Sequence, residues 1–287
     1  MIEVTKDILK QIYPPRPPEV RKYDYGLLLV IGGSEFYSGS PALSTLAAFR
    51  AGVDMVRIIA PKRAADIIAS FSPVMAAYPL PGDWLEKKHL PTLLSMAESA
   101  REVSRGKVAL VIGGGMGRSK ETQETIVEFL AQNSIPTVID ADAIHALAKK
   151  PEVIKGENSI VTPNTFEFRL LTGREVYQLP HEDRVKIVQE EAARLGTIIL
   201  LKGKWDIISD GKEVAISKAG SPYLSKGGTG DTLAGICGAF LARGINPFTA
   251  AQAAAYINSL AGDAAAKKLG ESVSPIDLIE SISEVIR

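Results

Sequence analysis

Val108-Ala109-Leu110-Val111-Ile112-Gly113-Gly114-Gly115-Met116-Gly117 joins five consecutive apolar residues to a glycine cluster, and a helical pattern over Lys120–Gln132 follows. An apolar run without polar alternation suits a strand covered on both faces, as in a largely parallel sheet. Glycines at the carboxyl end of such a strand lie where open α/β sheets bind ligands. The same unit recurs on both sides of this stretch. Strands are predicted at Leu27–Ile31, Met55–Ile59, Thr137–Ile139, Ser159–Val161 and Thr197–Leu201. Between them, helices are predicted near Pro41–Ala51, Lys62–Phe71, Leu90–Arg101, Asp142–Lys149 and Glu182–Leu195. That alternation predicts a three-layer α/β/α fold with right-handed crossovers.

After Leu201 the rhythm changes. Trp205–Ser209 and Val214–Ser217 flank Asp210-Gly211, which predicts a hairpin. From Asp231 onward the pattern is helical almost throughout. Asn246 and Pro247 form a cap with proline at the first helical position, Ala250–Lys268 reads as a closely packed helix, and Ser274-Pro275 opens a last one. No linker or repeat divides the chain, so residues 1–287 read as one domain. Residues 1–22 are expected to be a lead-in, with the cluster Pro14-Pro15-Arg16-Pro17-Pro18 setting a short N-terminal helix apart.

Bulk composition narrows the function classes. With 46% apolar and 23% charged residues, the chain has ordinary material for a core. Thirty-three basic residues balance 33 acidic ones, so the footprint of a nucleic-acid-tracking protein is missing. Cys237 is the single cysteine and lies in an apolar run, which predicts a small buried hydrophobe and a reducing compartment. The first residues lack the pattern of a secretory signal, and no apolar segment is long enough to cross a bilayer. A cytoplasmic protein without a membrane partner is the expectation.

Three glycine loops carry the candidate chemistry. In Gly227-Gly228-Thr229-Gly230-Asp231, backbone N–H groups can approach a ligand closely and open into a helix whose start favours an anion. Asp231 then reads either as an N-cap or as a general base aimed at a hydroxyl beside the anion. The second loop, Gly113–Gly117, departs from the spaced dinucleotide fingerprint, which argues against a Rossmann site. Its glycines, Gly115 and Gly117 among them, serve ligand contact or a tight turn. The third, Gly32-Gly33-Ser34 through Tyr37-Ser38-Gly39-Ser40-Pro41, repeats strand, loop and helix, with Ser40 expected as the cap. Parallel strands would place all three loops on one rim.

Other strand ends add polar groups. Asn164 and Glu167 can orient a hydrated Mg²⁺ near nucleotide phosphates, or cap the next helix and occupy its first turn. Lys202-Gly203 reads as a phosphate contact or a solvated surface lysine. Asp140 and Asp142 can hold substrate or metal or cap a helix, with Asp142 the better cap. His89, His145 and His181 lack metal-ligand spacing and read as surface or helix residues.

Taken together, Gly32-Gly33-Ser34 with Tyr37-Ser38-Gly39, then Ala51-Gly52-Val53-Asp54, Gly113–Gly117, Asp140-Ala141-Asp142-Ala143, Thr162-Pro163-Asn164, Lys202-Gly203 and Gly228-Thr229-Gly230-Asp231 resemble the ADP/ATP-dependent NAD(P)H-hydrate dehydratases, a ribokinase-like family. The likeness runs from about Tyr23 to the end. It implies dehydration of the 6S form of hydrated NADH or NADPH with ADP or ATP and Mg²⁺, through phosphorylation of the added hydroxyl and elimination of phosphate. It assigns proton removal to Asp231 and nucleotide contacts to Lys202, Gly203, Gly228, Thr229 and Gly230. It assigns substrate contacts to Ser40, Pro41 and Gly117; Gly115 and Asn164 are candidate substrate contacts beside them, and Glu167 stays the candidate for a water-mediated metal contact. A homo-oligomer, a tetramer or larger, is implied too. Asn164 and Asn258-Ser259 depart from the family pattern, where many members carry histidine and histidine-glycine. The Thr162-Pro163-Asn164 form also occurs in ribokinase-like vitamin kinases, so a kinase of a small alcohol is the rival enzyme reading. A non-catalytic nucleotide-binding regulator is the third.

Overall fold

In the computed structural model, which describes residues 1–154 and 158–287, ten strands form one sheet: β1 (Ile2–Glu3), β2 (Leu27–Ile31), β3 (Met55–Pro61), β4 (Ala76–Leu80), β5 (Val108–Ile112), β6 (Thr137–Ile139), β7 (Ser159–Val161), β8 (Ile198–Leu201), β9 (Asp206–Ser209) and β10 (Val214–Ser217). Their order is β1-β10-β9-β8-β7-β6-β5-β2-β3-β4. Every pairing from β4 to β8 is parallel, and β9 runs antiparallel to both its neighbours. The β9–β10 hairpin turns at Asp210-Gly211, where Gly211 takes a φ of +88°.

The helices are α1 (Ile8–Ile12), α2 (Gly39–Arg50), α3 (Lys62–Phe71), α4 (Leu90–Val103), α5 (Lys120–Gln132), α6 (Asp142–Leu147), α7 (Thr165–Thr172), α8 (His181–Leu195), α9 (Thr229–Ala242), α10 (Pro247–Leu269) and α11 (Pro275–Val285). Successive side chains of a strand point to opposite faces. Leu28, Val30, Ala109 and Val111 pack under α1, α2, α3, α9, α10 and α11, whereas Leu27, Leu29, Leu110 and Ile112 pack under α4 to α8. Strands β2 and β5 are therefore apolar at every position. The three-layer expectation holds.

Some local expectations change. Strand β4 carries Pro79 and is largely exposed, so it gives no buried-strand signal; proline is tolerated because the strand is an edge. The N-terminal helix is not set apart. Strand β1 pairs with β10, Ile12 is fully buried, and Arg243 donates to the Ile12 carbonyl (2.6 Å). Cys237 is buried in α9, as its apolar setting predicts. All three histidines sit in helices, His89 in the 3₁₀ turn Lys87–His89, where it is buried: its Nδ1 accepts from the Glu86 N–H (3.1 Å) while Nε2 faces the Pro81 carbonyl (2.9 Å). Among the described residues, no helix is long and apolar enough to cross a membrane.

Candidate active site

The glycine loops after β2 and β5 touch through their backbones. Gly33 N–H donates to the Gly114 carbonyl (2.8 Å), and Gly113 N–H donates to the Ile31 carbonyl (3.3 Å). The third loop closes on them from α9. A Cβ placed on Gly114 would stand 2.8 Å from Asp231 Oδ1 and 2.7 Å from the Ser40 Cβ. Only a residue without a side chain lets Asp231, Ser40 and the β5 loop meet. The three loops share one rim.

Asp231 is the third residue of α9, and Gly228 (φ +101°) holds the cap position, so the N-cap reading of Asp231 gives way. Thr232 N–H makes an intrahelical bond to the Gly228 carbonyl (3.1 Å), and Gly230 and Asp231 precede it in the first turn, where amides have no intrahelical partner. Ser44 Oγ donates to the Asp231 carbonyl (2.9 Å), tying this turn to α2. Burial pushes the Asp231 carboxyl up to about 7, and the Asp140 charge pushes the same way; the Ser40 hydroxyl and Lys202 oppose it. A carboxylate poised near neutrality is suited to taking a proton.

Ser40 corrects a second expectation. Helix α2 begins at Gly39 with Ser38 at its cap, so Ser40 does not cap it and stands beside Asp231 instead. Pro41 is buried in that first turn, with its ring against Gly32 and Gly33. Asp142 is no cap either. It is the first residue of α6, and its carboxylate accepts from Gly117 N–H (2.9 Å) and Arg118 Nε (2.7 Å), which fixes the far end of the β5 loop. Gly115 lies against Tyr37 and Gly117 against the Trp84 ring.

Lys202 is not a solvated surface lysine. Its ammonium pairs with Asp140 (2.9 Å) and lies 3.8 Å from Glu167. Burial works against its charge, but the two carboxylates outweigh burial and raise its pKa. Asp140 is itself buried and accepts from the Thr162 hydroxyl (2.7 Å). A Cβ on Gly230 would be 3.3 Å from the Lys202 ammonium, so charge and helix start adjoin.

Asn164 and Glu167 form a reciprocal cap at α7: each backbone N–H donates to the other's side chain at 2.9 Å. Burial raises the Glu167 pKa, against the pull of Lys202. Among the described residues, no three His, Cys, Asp or Glu side chains are grouped to hold a metal directly. One Glu167 oxygen accepts the Asn164 N–H and also faces the Lys202 ammonium, so the carboxylate has little left for direct ligation, and a contact to a hydrated ion would run through water.

Beside Lys202 a cleft of about 500 Å³ opens between the 202–206 turn, the 219–225 loop and the start of α9; Gly203, Asp206, Ser225, Thr229, Gly230 and Asn258 line it. A shallower hollow of about 580 Å³ adjoins it over Asn164, Arg184 and Lys226. Asn258, one of the departures from the family pattern, accepts from Thr232 Oγ1 (2.7 Å) and donates to the Thr229 carbonyl (3.3 Å), pinning the helix start to α10. That role follows from a contact across helices and had no signal in spacing. Nor did Trp84, whose place against Gly117 depends on a loop fold.

A family model described as NAD(P)H-hydrate dehydratase (Carb_kinase) matches residues 28–284. A bifunctional NAD(P)H-hydrate repair enzyme from Pyrobaculum aerophilum is 43% identical over 95% of this chain and 52% of its own length, so the chain spans about half of that relative. An ADP-dependent (S)-NAD(P)H-hydrate dehydratase from Nitrosopumilus maritimus is 33% identical and is covered almost end to end, 99% of this chain and 96% of that one. An ADP/ATP-dependent NAD(P)H-hydrate dehydratase from Bacillus subtilis, co-crystallised with ATP and Mg²⁺, superposes with a TM-score of 0.79 at 24% identity, covering 99% of this chain and 97% of that one; this likeness speaks to the fold, which is ribokinase-like.

Proposed function

We propose that this chain, which belongs to the NAD(P)H-hydrate dehydratase family, restores NADH and NADPH from their 6S hydrates at the expense of ADP or ATP. The observation that carries this reading is the meeting of Asp231, three glycine loops and a charged Lys202 at one helix start. The cleft beside Lys202 takes the nucleotide, with Gly203, Gly228, Thr229 and Gly230 as its contacts. Ser40, Pro41, Gly115 and Gly117 take the hydrate on the other side of Asp231; Asn164, expected among them, lies on the Lys202 side, over the hollow that adjoins the nucleotide cleft. The name of the Nitrosopumilus relative favours ADP as the first nucleotide to try.

The order of events follows from charge. Asp231 accepts the proton of the hydroxyl on the hydrated ring as that oxygen attacks the terminal phosphoryl group. The bond to the nucleotide breaks, and the leaving nucleotide keeps the electron pair. The first-turn amides of α9 and the Lys202 ammonium face the negative charge that moves, which is electrostatic stabilisation in a preformed site. Loss of phosphate from one ring carbon and a proton from the next restores the double bond. Mg²⁺, held through water by Glu167, would neutralise phosphate charge. Ser40 keeps a hydroxyl beside the Asp231 carboxylate, and Asp140 keeps Lys202 charged and in place.

The test is direct. Purified protein with ADP or ATP, Mg²⁺ and hydrated NADH is expected to regenerate NADH absorbance. No recovery with either nucleotide ends the reading, and a stable phosphorylated vitamin-type alcohol would replace it with the kinase.

A further inference from the structure

We propose that Phe36 and Trp84 form a stacking platform for the adenine ring of the dinucleotide substrate, at the far end of the glycine loop that begins beside Asp231. The inference rests on the dehydratase reading and extends it to the half of the substrate that does not react.

Phe36 is 70% exposed. An exposed apolar side chain is ordinary by itself; what marks this one is that its backbone is fixed while its ring faces water. It is not exposed through slackness. Ser34 N–H donates to the Tyr37 carbonyl (2.9 Å), Glu35 N–H donates to the Asp83 carbonyl (2.8 Å), and the Arg63 guanidinium grips the Glu35 carbonyl. These bonds lock the Phe36 turn to the segment that carries Trp84. The two rings stand edge to face with centroids 5.5 Å apart at 70°, leaving flat surface toward solvent. Trp84 is held in turn against Gly117, where an added Cβ would meet its Cζ3 at 2.5 Å. The platform is rigid before anything binds.

Its distance from the reaction selects the ring. Asp231 touches the loop at Gly114 and Trp84 touches it at Gly117, a separation of up to about 10 Å along the chain. The hydrated nicotinamide must lie at Asp231, and its sp³ carbon breaks the planarity that stacking needs. The purine at the other end keeps a full π face, and base–aromatic stacking is indifferent to hydrogen-bond pattern. At that end Arg118 follows Gly117 and pairs with Asp142 (2.7 Å), which also accepts the Gly117 N–H, so the loop carrying Trp84 is held in place.

The experiment compares hydrated NADH with hydrated reduced nicotinamide mononucleotide, which lacks the adenosine half. Wild type is expected to prefer the dinucleotide in kcat/KM, and Phe36→Ala to cut that preference roughly tenfold through KM, as loss of one stacking face implies. Turnover of the mononucleotide and KM for ADP stay unchanged. Trp84→Leu is expected to act the same way; should it fail to fold, Phe36→Ala, an exposed position, decides alone. If wild type turns over the dinucleotide but Phe36→Ala weakens both substrates equally, or neither, the platform is wrong and the dehydratase reading stands. If wild type turns over neither substrate with ADP or ATP, both fall together.

Discussion

Asp231 divides two unlike surroundings. Toward Lys202 the protein is open and charged: a cleft of about 500 Å³, a buried ion pair with Asp140, and a helix start with free amides. Toward Gly114 it is close-packed, with backbone laid against backbone and aromatic rings resting on glycines, and the Arg118–Asp142 pair lies at the far end of the loop. The first side recognises by charge, which acts at a distance and tolerates some looseness. The second recognises by shape, where a single added methyl group has nowhere to go. One carboxylate between them can serve a transferable phosphoryl group on one side and an uncharged hydroxyl on the other.

That contrast can be broken at its hinge first. Asp231→Asn keeps the shape and removes the base, so kcat is expected to fall by about 10² to 10⁴ while calorimetry still registers nucleotide binding. Intact turnover would place the proton acceptor elsewhere. On the shape side, Gly114→Ala sets a methyl group 2.8 Å from Asp231 Oδ1. Displacement of the base by even an ångström is expected to cost on the order of 10² in kcat/KM, with nucleotide binding again spared. Equal damage to both ligands would mean that the two sides are not separate.

On the charge side, Lys202→Met should raise KM for the nucleotide about tenfold. It should also lower the melting temperature, because Asp140 and Glu167 are then left buried without their cation. The pH profile sharpens the comparison further. With Asp231 as the proposed base and its carboxyl pushed up to about 7, kcat/KM should fall as pH drops through that value. Asp140→Asn removes a like charge, so the acid limb is expected to move to lower pH; an unmoved limb would detach Asp140 from the base.

The smallest effect concerns stability. Burial pushes Asp206 up to about 7, so folding must hold it protonated where the unfolded chain would ionise it. This group therefore costs stability progressively as pH rises from its ordinary value near 3.8 to about 7. Asp206→Asn, which can still accept the Gly203 N–H, should raise the melting temperature by about 2–4 °C above pH 7 and leave it unchanged near pH 4.

Much of this was legible in the residues. Apolar runs such as Leu27–Ile31 and Val108–Ile112 read as doubly covered strands because they are short and end in glycine, unlike the longer buried run of α9, and Asp210-Gly211 declares its hairpin through the φ that only glycine adopts freely. Strand β4 stayed hidden because an exposed edge with a proline has no such signature. Ser40 and Asp142 looked like caps by type and position; each instead turns its side chain to a neighbour more than 20 residues away, Ser40 to Asp231 and Asp142 to Gly117. Capping is a local choice, and tertiary partners outbid it.

By itself the sequence determined which residues sit at strand ends and that those ends carry glycine, because strand period and glycine's backbone freedom are properties of short segments. Only the tertiary structure decided that Lys202 pairs with Asp140, that Asn258 holds the α9 start, and that Trp84 lies on Gly117. Those contacts join residues far apart in the chain, and burial there sets both charge and access. Side-chain chemistry is written locally, but the environment that gives it a working pKa is assembled from distant segments.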